Sequence, residues 1–406
     1  MPSDKELEAW VKDIYKKSDK AGLHIPTVQA YAEKFWNAVQ EGYGKGFADV
    51  QIGDTDYNTL AHLRKNVYHF SAAKNHAELK AITSKVVTDG GKVRTWAQFR
   101  KEAAKITSVF RGSWMEAEYE LAVAGGQMAG KWQEFKRTGD DTMLRYSTVK
   151  DARVSDICKP LEGVTKPIND AFWNTYYPPN HFRCRCDVDR IPYNTKGTPA
   201  DKTPAPEIPK MLRTNLAKQG LVFPSDHPYF KGIPKYELST YLLRMDEAAQ
   251  YEHLYTSPSG GKVKIHILQL VRDDLDSDLN DVINAAKKMA DNGHKVEIIP
   301  RLDRKGYNTA RDTLLKGVIK KKNPDYRING MYGDLKQPIF QADYKKDSFT
   351  KLLQHAGEQS QFPVIEFSFD VDKKIIEKAC RGKIAGKGKI RKIQIYFNDG
   401  TQELFE

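Results

Sequence analysis

Three of the four cysteines in this 406-residue chain fall between positions 158 and 186, beside one histidine. The run Pro178-Pro179-Asn180-His181-Phe182-Arg183-Cys184-Arg185-Cys186 sets two thiols two residues apart, and on an extended strand both would face one way. A turn would bring His181 alongside, and Cys158 would arrive from a separate segment. Thiolates and imidazole are the usual ligands of four-coordinate zinc, so Cys158, His181, Cys184 and Cys186 form a candidate metal set. The spacing is not that of a standard zinc ribbon. Reduced thiols buried as small hydrophobes next to a core histidine fit the same residues.

A second constellation lies at 323–336, Asn-Pro-Asp-Tyr-Arg-Ile-Asn-Gly-Met-Tyr-Gly-Asp-Leu-Lys. Asn329-Gly330 between apolar-rich runs is a hairpin signal. A two-residue turn there pairs Ile328 with Met331, Arg327 with Tyr332, Tyr326 with Gly333 and Asp325 with Asp334. Cross-strand partners hold their Cβ atoms about 4.5–5.5 Å apart on one face. Two carboxylates so placed repel unless a cation lies between them. Lys336, two residues past Asp334, projects to the same face. Such a site suits metal-assisted phosphodiester hydrolysis: the acids hold Mg²⁺, Mn²⁺ or Zn²⁺, the ion acidifies a bound water, and the lysine orients that water or meets developing charge. Glu297, on the preceding strand, offers a third carboxylate. Gly333 would weaken the strand or mark a bulge that shifts this register. A surface hairpin with solvated charges is the alternative.

Both constellations resemble known families. Asp151-x-Arg153-x-Ser155-x-x-Cys158 followed by Asn-His-Phe-Arg-Cys-Arg-Cys resembles the phage minor head proteins of the Mu F-like and SPP1-like head morphogenesis family, over roughly residues 60–190. That resemblance implies a virion protein, made in the host bacterial cytoplasm, that joins portal and capsid proteins during head assembly and DNA packaging. It also implies metal at the Cys/His positions. Asp325, Asp334 and Lys336 resemble the Pro-Asp…(Asp/Glu)-x-Lys nuclease superfamily, and residues 258–400 look like the toxin domain at the C-terminus of contact-dependent inhibition proteins. This second resemblance implies cleavage of tRNA or DNA and an immunity-type protein as a further partner. A head protein whose tail domain binds nucleic acid without cutting it is the other function the residues allow.

The elements that must position these residues follow from periodicity. Apolar residues recur at helical spacing over 4–18, from Thr27 as N-cap through Val39, and from Thr95 through Leu121 in one long helix that Gly125-Gly126 interrupts or kinks. Residues 143–149 read as a strand entering the Asp151 motif, and 186–191 as its partner. Prolines at 192, 199, 204, 206 and 209 mark a spacer without a core. A helix is expected over 236–251. After Pro258, strand, helix and strand at 262–268, 276–290 and 295–300 suggest an α/β unit, followed by the hairpin, a strand at 363–369, a helix at 372–379 and a closing strand at 392–397. Three regions result: a head-protein domain at 1–191, mainly helical with a small Cys/His knot; a linker at 192–256; and an α/β nuclease-like domain at 257–406. The fold class is α+β, multidomain.

A net charge of +12 favours polyanionic partners. The basic, glycine-interleaved segment 378–392 offers Lys387, Lys389, Arg391 and Lys392 as nucleic-acid contacts, through glycines that let backbone amides approach phosphates. The N-terminus has no apolar signal core, no run of 18 apolar residues exists, and the cysteines form no secreted disulfide framework. A reducing cytoplasm is therefore the expected site of synthesis, with no membrane partner. Cys380 is expected to serve packing.

Overall fold

The computed structural model describes residues 2–50, 54–139, 141–233, 245, 247–270, 278–302, 311–312, 314–318, 322–339, 346–386 and 388–406. The chain divides into two compact units, Met1–Met245 and Asp246–Glu406. No helix among the described residues is long and apolar enough to cross a membrane.

The N-terminal unit is built on α1 (Asp4–Lys17), α2 (Ile25–Tyr43), α3 (Thr55–Thr83), α4 (Trp96–Arg111) and α5 (Ser113–Arg137). Ser3 and Glu6 form a capping box on α1, as Thr95 and Gln98 do on α4. Thr27 is not the N-cap of α2. His24 holds that position, and Thr27 lies in the first turn, where its hydroxyl meets His24 Nδ1 at 2.7 Å and accepts from Arg111 at 2.9 Å. The helix opened by Thr95 ends at Gly112, and α5 starts at the next residue.

Gly125 and Gly126 do not break α5. A Cβ on Gly126 would lie 2.4 Å from the Val39 carbonyl oxygen of α2, and one on Gly42 of α2 would lie 2.0 Å from the Val123 carbonyl oxygen. The glycines let two helix backbones touch, and that packing outweighs their propensity cost of about 1 kcal/mol each. Gly126→Ala is expected to destabilise the unit by about 2 kcal/mol, because overpacking of about 3 kcal/mol exceeds the helix-propensity gain. Urea unfolding followed by tryptophan fluorescence checks this, since all six tryptophans lie between 10 and 173. An unchanged midpoint would show that the helices can separate at no cost.

Helix α3 has no simple apolar stripe because its neighbours enclose it and bury polar side chains with the apolar ones. Lys74, fully buried, pairs with Glu118 of α5 at 2.6 Å, and Glu78 accepts from Arg111 at 3.2 Å. Asn66 accepts from the backbone N–H of Val222 (2.9 Å) and of Phe223 (2.7 Å), and its Nδ2 donates to the Phe223 carbonyl. Phe223 stacks on Phe70 with centroids 3.6 Å apart. The proline-rich stretch is therefore not a free spacer throughout. Ile208, Leu212 and Leu216 form a buried cluster with Ile157, Tyr176 and Phe182, and 208–230 belongs to the N-terminal unit. Of the helix expected over 236–251, residues 236–244 and 246 lie outside the described residues; Glu247–Gln250 is a 3₁₀ turn and Tyr251 begins a strand.

A three-stranded sheet closes this unit. β1 (Met143–Ser147) lies between β2 (Thr165–Pro167) and β3 (Asp187–Ile191), antiparallel to both, as expected for β1 and β3.

The C-terminal unit is one eight-stranded sheet in the order β11-β10-β9-β8-β7-β6-β5-β4. The strands are β4 (Tyr251–Thr256), β5 (Lys262–His266), β6 (Lys295–Ile298), β7 (Tyr326–Ile328), β8 (Met331–Lys336), β9 (Phe362–Glu366), β10 (Ile393–Tyr396) and β11 (Gln402–Phe405). β4, β7 and β11 run antiparallel to their neighbours, and the others share one direction. Helix α6 (Leu279–Asp291) covers one face, where the Tyr326 hydroxyl donates to the Val282 carbonyl at 2.7 Å. Gly293 leaves α6 with φ of 84°. On the other face α7 (Lys346–Gly357) and α8 (Lys373–Ala385) pack Phe349, Leu353, Ile376 and Cys380 against Ile365, Ile393 and Ile395. Alternation on β9 separates the faces: Ile365 enters that core, and Glu366 pairs with Lys288 of α6. Burial pushes the Cys380 thiol up to about 12, in keeping with packing.

Candidate functional site

In the N-terminal unit, β1 and two loops converge on the Cys/His set. Cys158 ends a turn in which its N–H donates to Ser155 O (3.0 Å) and Oγ (3.2 Å). Cys184 also ends a turn, its N–H donating to His181 O at 3.2 Å across Arg183, whose φ is 63°. Cys184 and Cys186 thus precede β3 instead of standing on it, and it is this turn that carries His181 to the thiols. The ligand atoms of Cys158, His181 and Cys184 lie within 4.8 Å of one another, and among the described residues no other group of three or more Cys, His, Asp or Glu does this. The Cys158 and Cys184 sulfurs are 3.8 Å apart. Two thiolates on a tetrahedral ion with bonds of about 2.3 Å would be separated by about 3.8 Å.

His181 Nδ1 lies 2.8 Å from the Phe182 carbonyl, which only accepts, so Nδ1 carries the proton and Nε2 faces Ser155 Oγ (2.8 Å) and the sulfurs. Hydrogen bonds from Cys184 and Cys186 lower the Cys158 thiol, while the bonds of Cys186 to Cys158 and Cys184 raise its own. Bonds to Cys158 and Cys184 raise His181 to about 10. These shifts come from the thiols and the imidazole bonding to one another within the cluster. Around it, Asn180 Nδ2 donates to the Tyr146 hydroxyl (2.9 Å), which donates to Cys158 Sγ (3.3 Å).

Asp151 and Arg153 have a role that their spacing did not reveal. The two terminal guanidinium nitrogens of Arg185 each donate to Asp151 at 2.8 Å, and the Arg153 N–H donates to it at 2.9 Å. Asp151 thus clamps the residue between Cys184 and Cys186, and Arg185 holds its carboxyl well below the usual range. A cleft of about 890 Å³ between α5 and the knot, lined by Tyr119, Val123, Gln127, Arg183 and Cys186, gives access to the cluster.

In the C-terminal unit the hairpin forms in the expected register, Ile328 opposite Met331, Arg327 opposite Tyr332 and Tyr326 opposite Gly333. Asn329 (φ 48°) and Gly330 (φ 86°) make the two-residue turn. Gly333 introduces no bulge: a Cβ there would lie 2.5 Å from Ile328 Cδ1 and 3.1 Å from the Phe362 carbonyl oxygen. Asp325 continues the ladder, its N–H donating to Gly333 O at 3.0 Å and its Oδ2 accepting from Leu335 N–H at 2.9 Å. Asp334 is 2% exposed and meets Lys336 Nζ at 2.5 Å. Burial and the Asp334 charge push Asp325 up to about 7. Asp325, Asp334 and Lys336 therefore come together at the carboxyl end of β8, the end of α/β sheets where ligands bind.

Glu297 is engaged elsewhere. It lies opposite Arg327 and pairs with it at 3.5 Å, and its charged neighbours are Arg327, Glu247 and Lys264. Of the basic residues expected to contact nucleic acid, Arg391 donates to Gly388 O at 2.7 Å, Lys392 pairs with Glu406, Lys389 is exposed, and Lys387 lies outside the described residues.

Residues 77–189 match the family model described as Phage Mu protein F like protein. The matched segment runs from the end of α3 to β3 and spans all four Cys/His positions, of which Cys158, His181 and Cys184 make the close group and Cys186 stands outside it; this supports a phage head-morphogenesis family for this part of the chain. No curated protein and no solved structure matches the chain.

Proposed function

We propose that the chain is a phage minor head protein of the virion that acts with portal and capsid proteins in head assembly and DNA packaging. Its Cys/His knot holds a structural zinc through Cys158, His181, Cys184 and Cys186. Its C-terminal unit hydrolyses phosphodiester bonds in tRNA or DNA with a divalent cation, and an immunity-type protein would restrain it. The observation that carries the enzymatic part is the acid pair. Asp325 and Asp334 crowd their charges beside Lys336 at the rim of a sheet, an arrangement that costs stability unless a cation offsets it.

Asp325 and Asp334 would hold Mg²⁺ or Mn²⁺, with Zn²⁺ the third ion the donors accept. A bound ion supplies Lewis acidity and a water of lowered pKa. Lys336 places an ammonium beside Asp334, where it neutralises charge building on the scissile phosphate. The Leu335 N–H fixes the Asp325 carboxylate, so this acid is preorganised.

Incubating the full-length protein with tRNA and with duplex DNA, in Mg²⁺, in Mn²⁺, in Zn²⁺ and in EDTA, tests the reading. Cleavage is expected with a divalent metal and not in EDTA, and Lys336→Ala should slow it about 100-fold. Intact substrates in every divalent metal would overturn hydrolysis. Retarded bands without products would favour a unit that binds nucleic acid and leaves it whole.

A further inference from the structure

We propose that the open face of the C-terminal sheet carries the phosphate backbone of a nucleic-acid strand away from the acid pair, through Lys262, Lys264 and Lys295. The inference rests on the hydrolytic reading above for where that strand is cut, while the face itself is defined by strand register. Along β5 and β6 alternate residues part to opposite sides. Val263, Ile265, Val296 and Ile298 are buried on the side that α6 covers, where Ile298 stands opposite Tyr326. The residues between them face the other way. On that side His253 lies opposite Lys264, Lys262 beside Lys295, Lys264 beside Glu297, and Glu297 opposite Arg327. Arg327 is two residues from Asp325 and shares its face, as Tyr332 shares that of Asp334. One side of the sheet therefore joins three lysines to the acids. With strands about 4.8 Å apart and about 6.6 Å per two residues, Lys264 starts about 12 Å from Asp325. In the other direction the face is closed. Ile365, beside Lys336 in register, lies under Phe349 and Leu353 of α7.

The lysines have nothing to balance them. Lys262 and Lys295 are exposed and Lys264 is half-buried, and none of the three makes an ion pair among the described residues. The acids beside the row, Glu297 and Glu247, are both held by Arg327, at 3.5 and 2.6 Å, and Lys264 acts on Glu297 only from beyond ion-pair range. Burial, then the charges of Lys262 and Lys264, lower His253, and no acid opposes them. Like charges in register on neighbouring strands repel. A polyanion lying on the face removes that cost, as a cation does for the acid pair. Continuity with the acids favours a nucleic acid over an acidic protein, because a strand with one phosphate at the acids lays its next phosphates on the side that is open. A lysine is a point charge on a flexible stem and reads no base edge, so these contacts are to phosphate and independent of sequence.

The test is the binding of a fluorescent single-stranded oligonucleotide to the full chain, followed by anisotropy in EDTA across a salt series. Lys262→Gln, Lys264→Gln and Lys295→Gln together should weaken binding about 100-fold at about 0.1 M salt and lower the slope of log affinity against log salt by about two. The same charge removed from exposed lysines of α7 and α8, by Lys351→Gln, Lys374→Gln and Lys378→Gln together, should cost less than about threefold. Turnover of bis(p-nitrophenyl) phosphate, which has no neighbouring phosphate, should stay within about twofold in the first triple variant. Equal losses in the two triple variants would overturn the proposal in favour of net charge, and unchanged binding by the first would overturn it outright. Poly-L-glutamate held more tightly than the oligonucleotide, through the same lysines, would overturn it in favour of an acidic protein partner. Lysine-dependent binding without cleavage in any divalent metal would uphold the face and reject hydrolysis. Cleavage with binding indifferent to the lysines would do the reverse.

Discussion

Asp334→Asn is expected to cripple cleavage and, in EDTA, to make the C-terminal unit more stable. Asp334 is 2% exposed, and with burial its charge is what holds Asp325 near pH 7. Asparagine keeps the shape and an acceptor for Lys336 while removing the repulsion. The opposing loss is the ion pair with Lys336, but that lysine is 30% exposed and acts on Asp325 as well, which remains as its counter-charge. Relief of repulsion should win by about 1–2 kcal/mol at pH 8, roughly one unit of pKa shift. The pH dependence has a definite sign. The folded Asp325 keeps its proton up to about 7, whereas an unfolded aspartate loses it near the ordinary 3.8. Between those values the native state binds more protons, so stability falls as pH rises through the window and levels off above it. Asp334→Asn should flatten that slope. Mg²⁺ should stabilise wild type and leave the variant unchanged, because only wild type retains both ligands. Activity should fall about 1000-fold. The C-terminal unit has no tryptophan, so the measurement is urea-dependent hydrogen exchange of its peptides at pH 5 to 8, with and without Mg²⁺. A variant that is less stable than wild type and still cuts would leave the acids with no part in holding a cation.

The hairpin was readable in the sequence because its information is local. A two-residue Asn-Gly turn sets the register of both strands, and the position of Asp325 relative to Asp334 follows without long-range knowledge. Strands β5, β6, β9 and β10 and helices α6 and α8 obeyed simple periodicity for the same reason, whereas α7 and β11 did not announce themselves. What escaped depended on partners far along the chain. Helix α3 buries Arg64, Asn66, Lys74 and Glu78, so the apolar pattern that announces a helix is diluted by side chains whose partners lie elsewhere. The linker was read from its prolines, whereas its apolar residues Ile208, Leu212 and Leu216, which sit on no continuous helix, are buried by partners at 157, 176 and 182. The Gly125-Gly126 pair looked like a breaker because the second helix that requires it begins a hundred residues earlier. Glu297 was drawn to the acid pair by its place on the neighbouring strand, yet the residue directly opposite it is an arginine. Asp151 and Arg185 show the same limit, being 34 residues apart and joined only by the fold.

Cys186→Ser is the substitution that separates a zinc knot from packed thiols, and it is expected to cost the N-terminal unit about 3 kcal/mol or more and to remove its metal. The other members of the set are less informative. Cys158 is fully buried and accepts from Tyr146, and Cys184 is 7% exposed, so serine at either position would harm a purely packed cluster too. Cys186 is only half-buried, and a hydroxyl there can reach solvent. If the sulfurs merely fill space, serine at 186 should be within about 0.5 kcal/mol of wild type, as surface substitutions usually are. If Cys186 is the fourth ligand, its loss opens the coordination shell, because a neutral hydroxyl does not replace a thiolate on zinc. The remaining atoms of Cys158, His181 and Cys184 would then hold the ion weakly, and the β1–β3 sheet would lose the cross-link between its loops. Wild type should carry about one zinc per chain by elemental analysis, and a strong chelator should lower its unfolding midpoint, read by tryptophan fluorescence, to that of Cys186→Ser. The chelator should have no further effect on the variant. Equal stability of the two proteins with no zinc in either would reduce the cluster to its packing role. The Asp151–Arg185 clamp gives an internal control: Asp151→Asn leaves all four ligands in place, so it should lower zinc affinity without abolishing it.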